Sequence, residues 1–76
     1  MRTRLENNTL TICLEGRIDS NNAPKIEGEI MDAVGKAPNA EVTLDAEELE
    51  YISSAGLRVL MKLRKQIGKP LPVVNV

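Results

Sequence analysis

The stretch LEYISSAGLRVLMKLRKQIG, Leu49 to Gly68, changes character at Ser53-Ser54-Ala55-Gly56. An apolar run ends there and a basic, amphipathic pattern begins. A hydroxyl residue before the periodic segment and a glycine after it mark a helix start and stop. The spacing predicts a helix from about Ala55 to Ile67. At about 100° per residue, Gly56, Val59, Leu60, Leu63 and Ile67 form its buried stripe. Leu57 and Met61 fall at the edge of that stripe, one turn apart, and Arg58, Lys62 and Lys65 line the neighbouring face. The serines then have two readings, a plain helix cap or a site of chemistry.

Upstream, Arg2 to Glu6 reads as a short first strand and Asn7-Asn8 as a turn, because asparagine tolerates left-handed backbone. The segment TLTICL alternates, with Leu10, Ile12 and Leu14 on one face and Thr9, Thr11 and Cys13 on the other, which predicts a strand with one buried side. Gly16 and Asp19 end it. A helix follows, capped by Asn21 or Asn22 with Pro24 in its first turn. Its apolar stripe is Ala23, Ile26, Ile30, Ala33 and Val34, and Gly35 and Pro38 close it. Gly28 falls on its polar face. The segment AEVTLD is a further strand with Val42 and Leu44 inward, and AEELEY a connector that drops Leu49 and Ile52 into the core. Pro70 and Pro72 lead to a last strand, PVVNV. The order is β-β-α-β-α-β in one small α/β domain, residues 1–76. Right-handed crossovers with both helices on one face require strands side by side in sequence order, only the first pair antiparallel.

Composition narrows the function. The 76 residues hold no histidine, so no Ser-His or Cys-His pair forms within the chain. One cysteine, Cys13, allows neither an internal disulfide nor a cysteine metal cluster. Net charge is −1 and the only aromatic is Tyr51, which argues against nucleic acid and membrane as partners. No apolar run approaches the ~20 residues of a membrane span. There is no GxxxxGK[ST] loop and no GxGxxG turn, and no cofactor is implied. A cytoplasmic protein that is not an enzyme is expected.

The second and third strands both run toward the end where the Ser53-Ser54 helix begins. Asp19 follows the second strand and Asp45 the third, so two carboxylates and a serine are expected at one rim, where open α/β sheets gather ligands and partners. A Ser-Asp pair without a histidine is a poor nucleophile. The serine is better placed to receive a group than to attack one.

GRIDSNNAP followed by VTLDAEELEYISSAGLRVL resembles the STAS domain family, the bacterial anti-sigma-factor antagonists and domains appended to sulfate transporters. The likeness runs from about Leu10 to the last strand. It implies a sequentially ordered sheet with helices stacked against it. It also implies that Ser54 is phosphorylated by a partner anti-sigma factor that is itself a serine kinase. Asp19 and Asp45 match acidic positions of the family pattern. Ser53 stands where the antagonists often carry aspartate, and Ala55 replaces a second hydroxyl. The chain is expected to lack the family's C-terminal helix region, leaving the last strand as an open edge through which a homodimer could form. The resemblance implies a partner-switching antagonist that docks through Asp19, Asp45, Ser53, Ser54, Ala55, Gly56, Leu57, Arg58 and Met61. The alternative is a STAS interaction or scaffold module that is never phosphorylated, serving a transport or signalling assembly.

Overall fold

Asn7 and Asn8 both take left-handed backbone, φ 50° and 61°, and close a two-residue hairpin between β1 (Arg2–Glu6) and β2 (Thr9–Ile18). The computed structural model describes residues 2–76. After β2 come α1 (Ala23–Lys36), β3 (Glu41–Ile52), α2 (Ser54–Ile67) and β4 (Val73–Val74). The sheet order is β1-β2-β3-β4, antiparallel in the first pair and parallel in the other two. This is the topology expected from the sequence.

Alternation along the strands decides which sheet face is covered. Leu10, Ile12, Leu14 and Ile18 of β2 and Val42, Leu44 and Ala46 of β3 are buried. They meet Ala23 and Ile30 of α1 and Leu63 of α2, with Ile26, Val34, Val59, Leu60 and Ile67 packed around them. The opposite face carries Thr11, Cys13, Thr43 and Asp45 and remains open to solvent.

Three expectations need correction. The segment AEELEY is not a connector, because β3 continues unbroken to Ile52. Its pairing with β2 shifts between Cys13 and Glu15 and again between Gly16 and Arg17. Each shift places an extra β3 residue against β2, so the two-residue period is lost and the sequence there does not look like a strand. β2 likewise runs through Gly16 to Ile18, and Gly16 meets the second irregularity with φ 68°. The last strand is shorter than PVVNV: only Val73 and Val74 pair, and Asn75 turns away with φ 58°. The edge that the last strand itself offers is therefore two residues long, and β3 outside Leu44 and Asp45 has no strand beside it on that side among the described residues.

Helix ends are fastened to their neighbours. Gly68 ends α2 in the left-handed conformation (φ 73°), and its N–H donates to the Arg64 carbonyl at 3.1 Å. The Lys69 ammonium donates to the carbonyls of Pro38 and Ala40 at 3.0 and 2.9 Å, tying the exit of α2 to the loop before β3. Within α1, Gly28 is exposed, and a Cβ built on it meets nothing within 4 Å. Gly28→Ala is therefore expected to raise stability by about 0.5–1 kcal/mol through helix propensity alone. Urea unfolding checks this as a higher midpoint with an unchanged slope.

Candidate functional site: the mouth of helix α2

The two serines divide the readings between them. Ser53 is the N-cap of α2: its backbone is extended (φ −81°, ψ 171°) and its Oγ accepts from the Gly56 N–H at 3.3 Å. Its own N–H donates to the Ile18 carbonyl at 2.8 Å, which anchors the helix mouth to the end of β2. Aspartate would cap in the same way, so the serine keeps the cap and removes the charge. Ser54 is the first residue of the helix and is exposed. Its hydroxyl makes no hydrogen bond among the described residues. The first turn of α2 holds no acidic residue of its own to balance the positive end of the helix dipole.

Gly56 sets how closely this mouth approaches the sheet. A Cβ there would lie 2.7 Å from Ile52 Cγ1 and 2.8 Å from Ile18 Cγ2. Ala55 is half-buried beside it. On the outer side Leu57 and Met61 are 50% and 66% exposed, more open than an edge-of-core position requires, and Arg58 stands beside them in solvent.

Asp19 reaches the same rim, held in a reciprocal clamp. Its Oδ1 accepts from the N–H groups of Asn21 and Asn22 at 2.9 and 3.2 Å, while its own N–H donates to Asn22 Oδ1 at 2.8 Å. Asn22 Nδ2 donates back to the Arg17 carbonyl at 2.7 Å. Asn22 occupies the cap position of α1 without capping it, since its side chain is turned toward this loop instead. The sequence did not single out the pair that completes the rim on the open sheet face. There the Arg17 guanidinium stacks over the Tyr51 ring, 4.5 Å from its centroid. The lone aromatic two residues before Ser53 was the available signal.

Asp45 is not at this rim. Because β3 runs seven residues further, to Ile52, Asp45 sits mid-strand opposite Cys13, roughly 20 Å back along the strand. Its Oδ1 accepts from Asn75 Nδ2 and from the Glu47 N–H, both at 3.0 Å, at the first register shift of β3. The Asn75 hydrogen bond foremost, then the Glu47 N–H, lower its pKa; slight desolvation opposes them and the nearby charge of Arg4 adds to the lowering. A carboxyl lowered on folding stabilises the folded state above its unfolded value, near 3.8. That contribution disappears as pH falls through the lower folded value. Asp45→Asn is accordingly expected to flatten the loss of stability below about pH 4, as read by urea midpoints at neutral and acid pH.

A short capped helix with an exposed serine at its mouth, seated on a sequentially ordered, mostly parallel sheet, is the arrangement of a STAS domain. The chain belongs to that family: the family model described as "Mlab, STAS domain" matches residues 1–76. It is 45% identical over 58 residues to BtrV of Bordetella bronchiseptica, itself assigned as an anti-sigma factor antagonist by inference. The match takes in 76% of this chain and 49% of BtrV, so the chain spans about half the length of that relative. Among solved structures, that of Mglu aligns over 99% of this chain and 19% of its own, with a TM-score of 0.79 and 17% identity. The anti-sigma factor antagonist SpoIIAA in its unphosphorylated form aligns over 88% of this chain and 64% of its own, with a TM-score of 0.62 and 20% identity. At these identities the two structures share the fold.

Proposed function

We propose that this domain is a cytoplasmic anti-sigma-factor antagonist that works by partner switching. Unmodified, it docks a serine-kinase anti-sigma factor through Asp19, Ser53, Ser54, Ala55, Leu57, Arg58 and Met61, with Gly56 holding the helix mouth at its height. Asp45, placed mid-sheet, is left out of this footprint. Docking frees the sigma factor. The kinase then transfers a phosphoryl group: Ser54 Oγ attacks the γ-phosphorus of ATP, an O–P bond forms, the bond to the β-phosphate oxygen breaks and ADP departs. The serine proton passes to a base on the kinase, since this chain has no histidine to take it.

The observation that carries the reading is the division of labour between the two hydroxyls. Ser53 makes the cap, so Ser54 can be modified without opening the helix. A phosphate adds about −1.5 to −2 charge at a helix end that has no acidic residue and favours anions. Arg58, one turn on, can approach it. The fold is retained while the docking face gains negative charge at the helix mouth.

Incubation with the host's serine-kinase anti-sigma factor and ATP, followed by mass spectrometry, tests the reading. Phosphate is expected on Ser54, and Ser54→Ala is expected to block the modification. Stable binding of the kinase with no phosphate on Ser54 would instead make the domain an unphosphorylated interaction module.

A further inference from the structure

We infer that the partner meets the whole exposed face of α2 with an acidic groove that has an apolar floor, and not the Ser54 rim alone. This inference rests on the docking role proposed above and extends its footprint to Arg64 and Lys65.

The face is laid out by helical spacing. Ser54 is followed one turn on by Leu57 and Arg58, then by Met61, then by Arg64 and Lys65, all exposed. They occupy the side opposite Gly56, Val59, Leu60, Leu63 and Ile67, which face the core. From Ser54 to Lys65 the rise is about 16 Å. Apolar anchors one turn apart, flanked by charges of one sign, are how an amphipathic helix presents itself to a groove.

Charge identifies the occupant. The helix SAGLRVLMKLRKQI carries four cations and no carboxylate, in a chain of net charge −1. Lys62 is paired with Glu27 of α1 at 3.1 Å. The side chains of Arg58, Arg64 and Lys65 make no ion pair or hydrogen bond among the described residues. Arg64 and Lys65 complement the negative end of the helix dipole. That does not account for Arg58, which lies toward the positive end. Three unpartnered cations around Leu57 and Met61 fit carboxylates around an apolar socket. A lipid surface fits less well, because the broad apolar face that an interfacial helix buries is here already packed on the sheet. A phosphate on Ser54 would place a negative charge at one end of this same face, against the partner's own.

The test measures association of the full chain with the purified serine-kinase anti-sigma factor, comparing wild type, Arg64→Glu/Lys65→Glu, Ser54→Asp and Lys36→Glu. Lys36 lies in the last turn of α1 on the side toward Thr3, Leu5 and Leu10, away from α2, and serves as the charge control. The double reversal is expected to weaken binding roughly tenfold or more, mostly through the association rate and most strongly at low salt. Lys36→Glu should stay within about twofold. If the double reversal binds like wild type while Ser54→Asp binds weakly, docking is confined to the rim; the inference fails and the proposed function stands. If wild type does not bind the kinase, both fail. If instead wild type binds phosphatidylglycerol vesicles and the double reversal abolishes that binding, the face serves a membrane and the protein groove is overturned.

Discussion

Gly56→Ala is expected to destabilise the domain by about 1–3 kcal/mol, although alanine is the better helix former. The added methyl would sit 2.7 Å from Ile52 Cγ1 and 2.8 Å from Ile18 Cγ2. Both atoms belong to β-branched side chains with little freedom at χ1. Ile18 is buried and Ile52 is packed against the core, so neither has an easy way to yield. The start of α2 must lift from the sheet, which strains the Ser53–Ile18 backbone bond and tilts the rim that carries Ser54. Gly56→Val should cost more still, while Gly28→Ala moves the opposite way. Urea midpoints of the three variants check the set: equal shifts for Gly56→Ala and Gly28→Ala would show that no close approach exists at Gly56.

Ser54→Asp is expected to separate stability from binding. A carboxylate at the first position of α2 meets a helix end whose first turn carries no acidic residue and should add about 0.3–1 kcal/mol to stability. The same charge meets the partner at the docking face and should weaken association roughly tenfold. Phosphoserine, with nearly twice the charge, should weaken it about 100-fold or more, since opposed like charges at an interface cost several kcal/mol. Ser54→Ala should bind within about threefold of wild type, because Ser54 leaves no buried partner unsatisfied. Thermal unfolding together with titration against the kinase reads both effects. A loss of stability in Ser54→Asp equal to its loss of affinity would mean that the charge disrupts the helix and not the interface.

The alternation of Leu10, Ile12 and Leu14 and of Val42 and Leu44, with the helix stripes of Ile26, Ile30, Leu60 and Leu63, made most of the fold legible. Each pattern has a single period, and the handedness of the crossovers then leaves one strand order. The extension of β3 was hidden because its extra residues put Glu47 and Glu48 side by side on the exposed side, and a broken period looks like a loop. That error moved Asp45 to a rim it does not reach. The division of the serines was also beyond the sequence, since adjacent hydroxyls are equal candidates for the cap until the backbone angles at Ser53 choose one. The Arg17–Tyr51 pair depends on the register between β2 and β3, which the same irregularities set.

One comparison bears most directly on the switch. Protein carrying phosphoserine at position 54, installed during synthesis so that no kinase is needed, is titrated against the serine-kinase anti-sigma factor beside the unmodified chain, and both are melted. A melting temperature at or above that of the unmodified chain, with affinity reduced about 100-fold or more, is the predicted result. Equal affinities, or a phosphorylated chain that no longer folds, would contradict it.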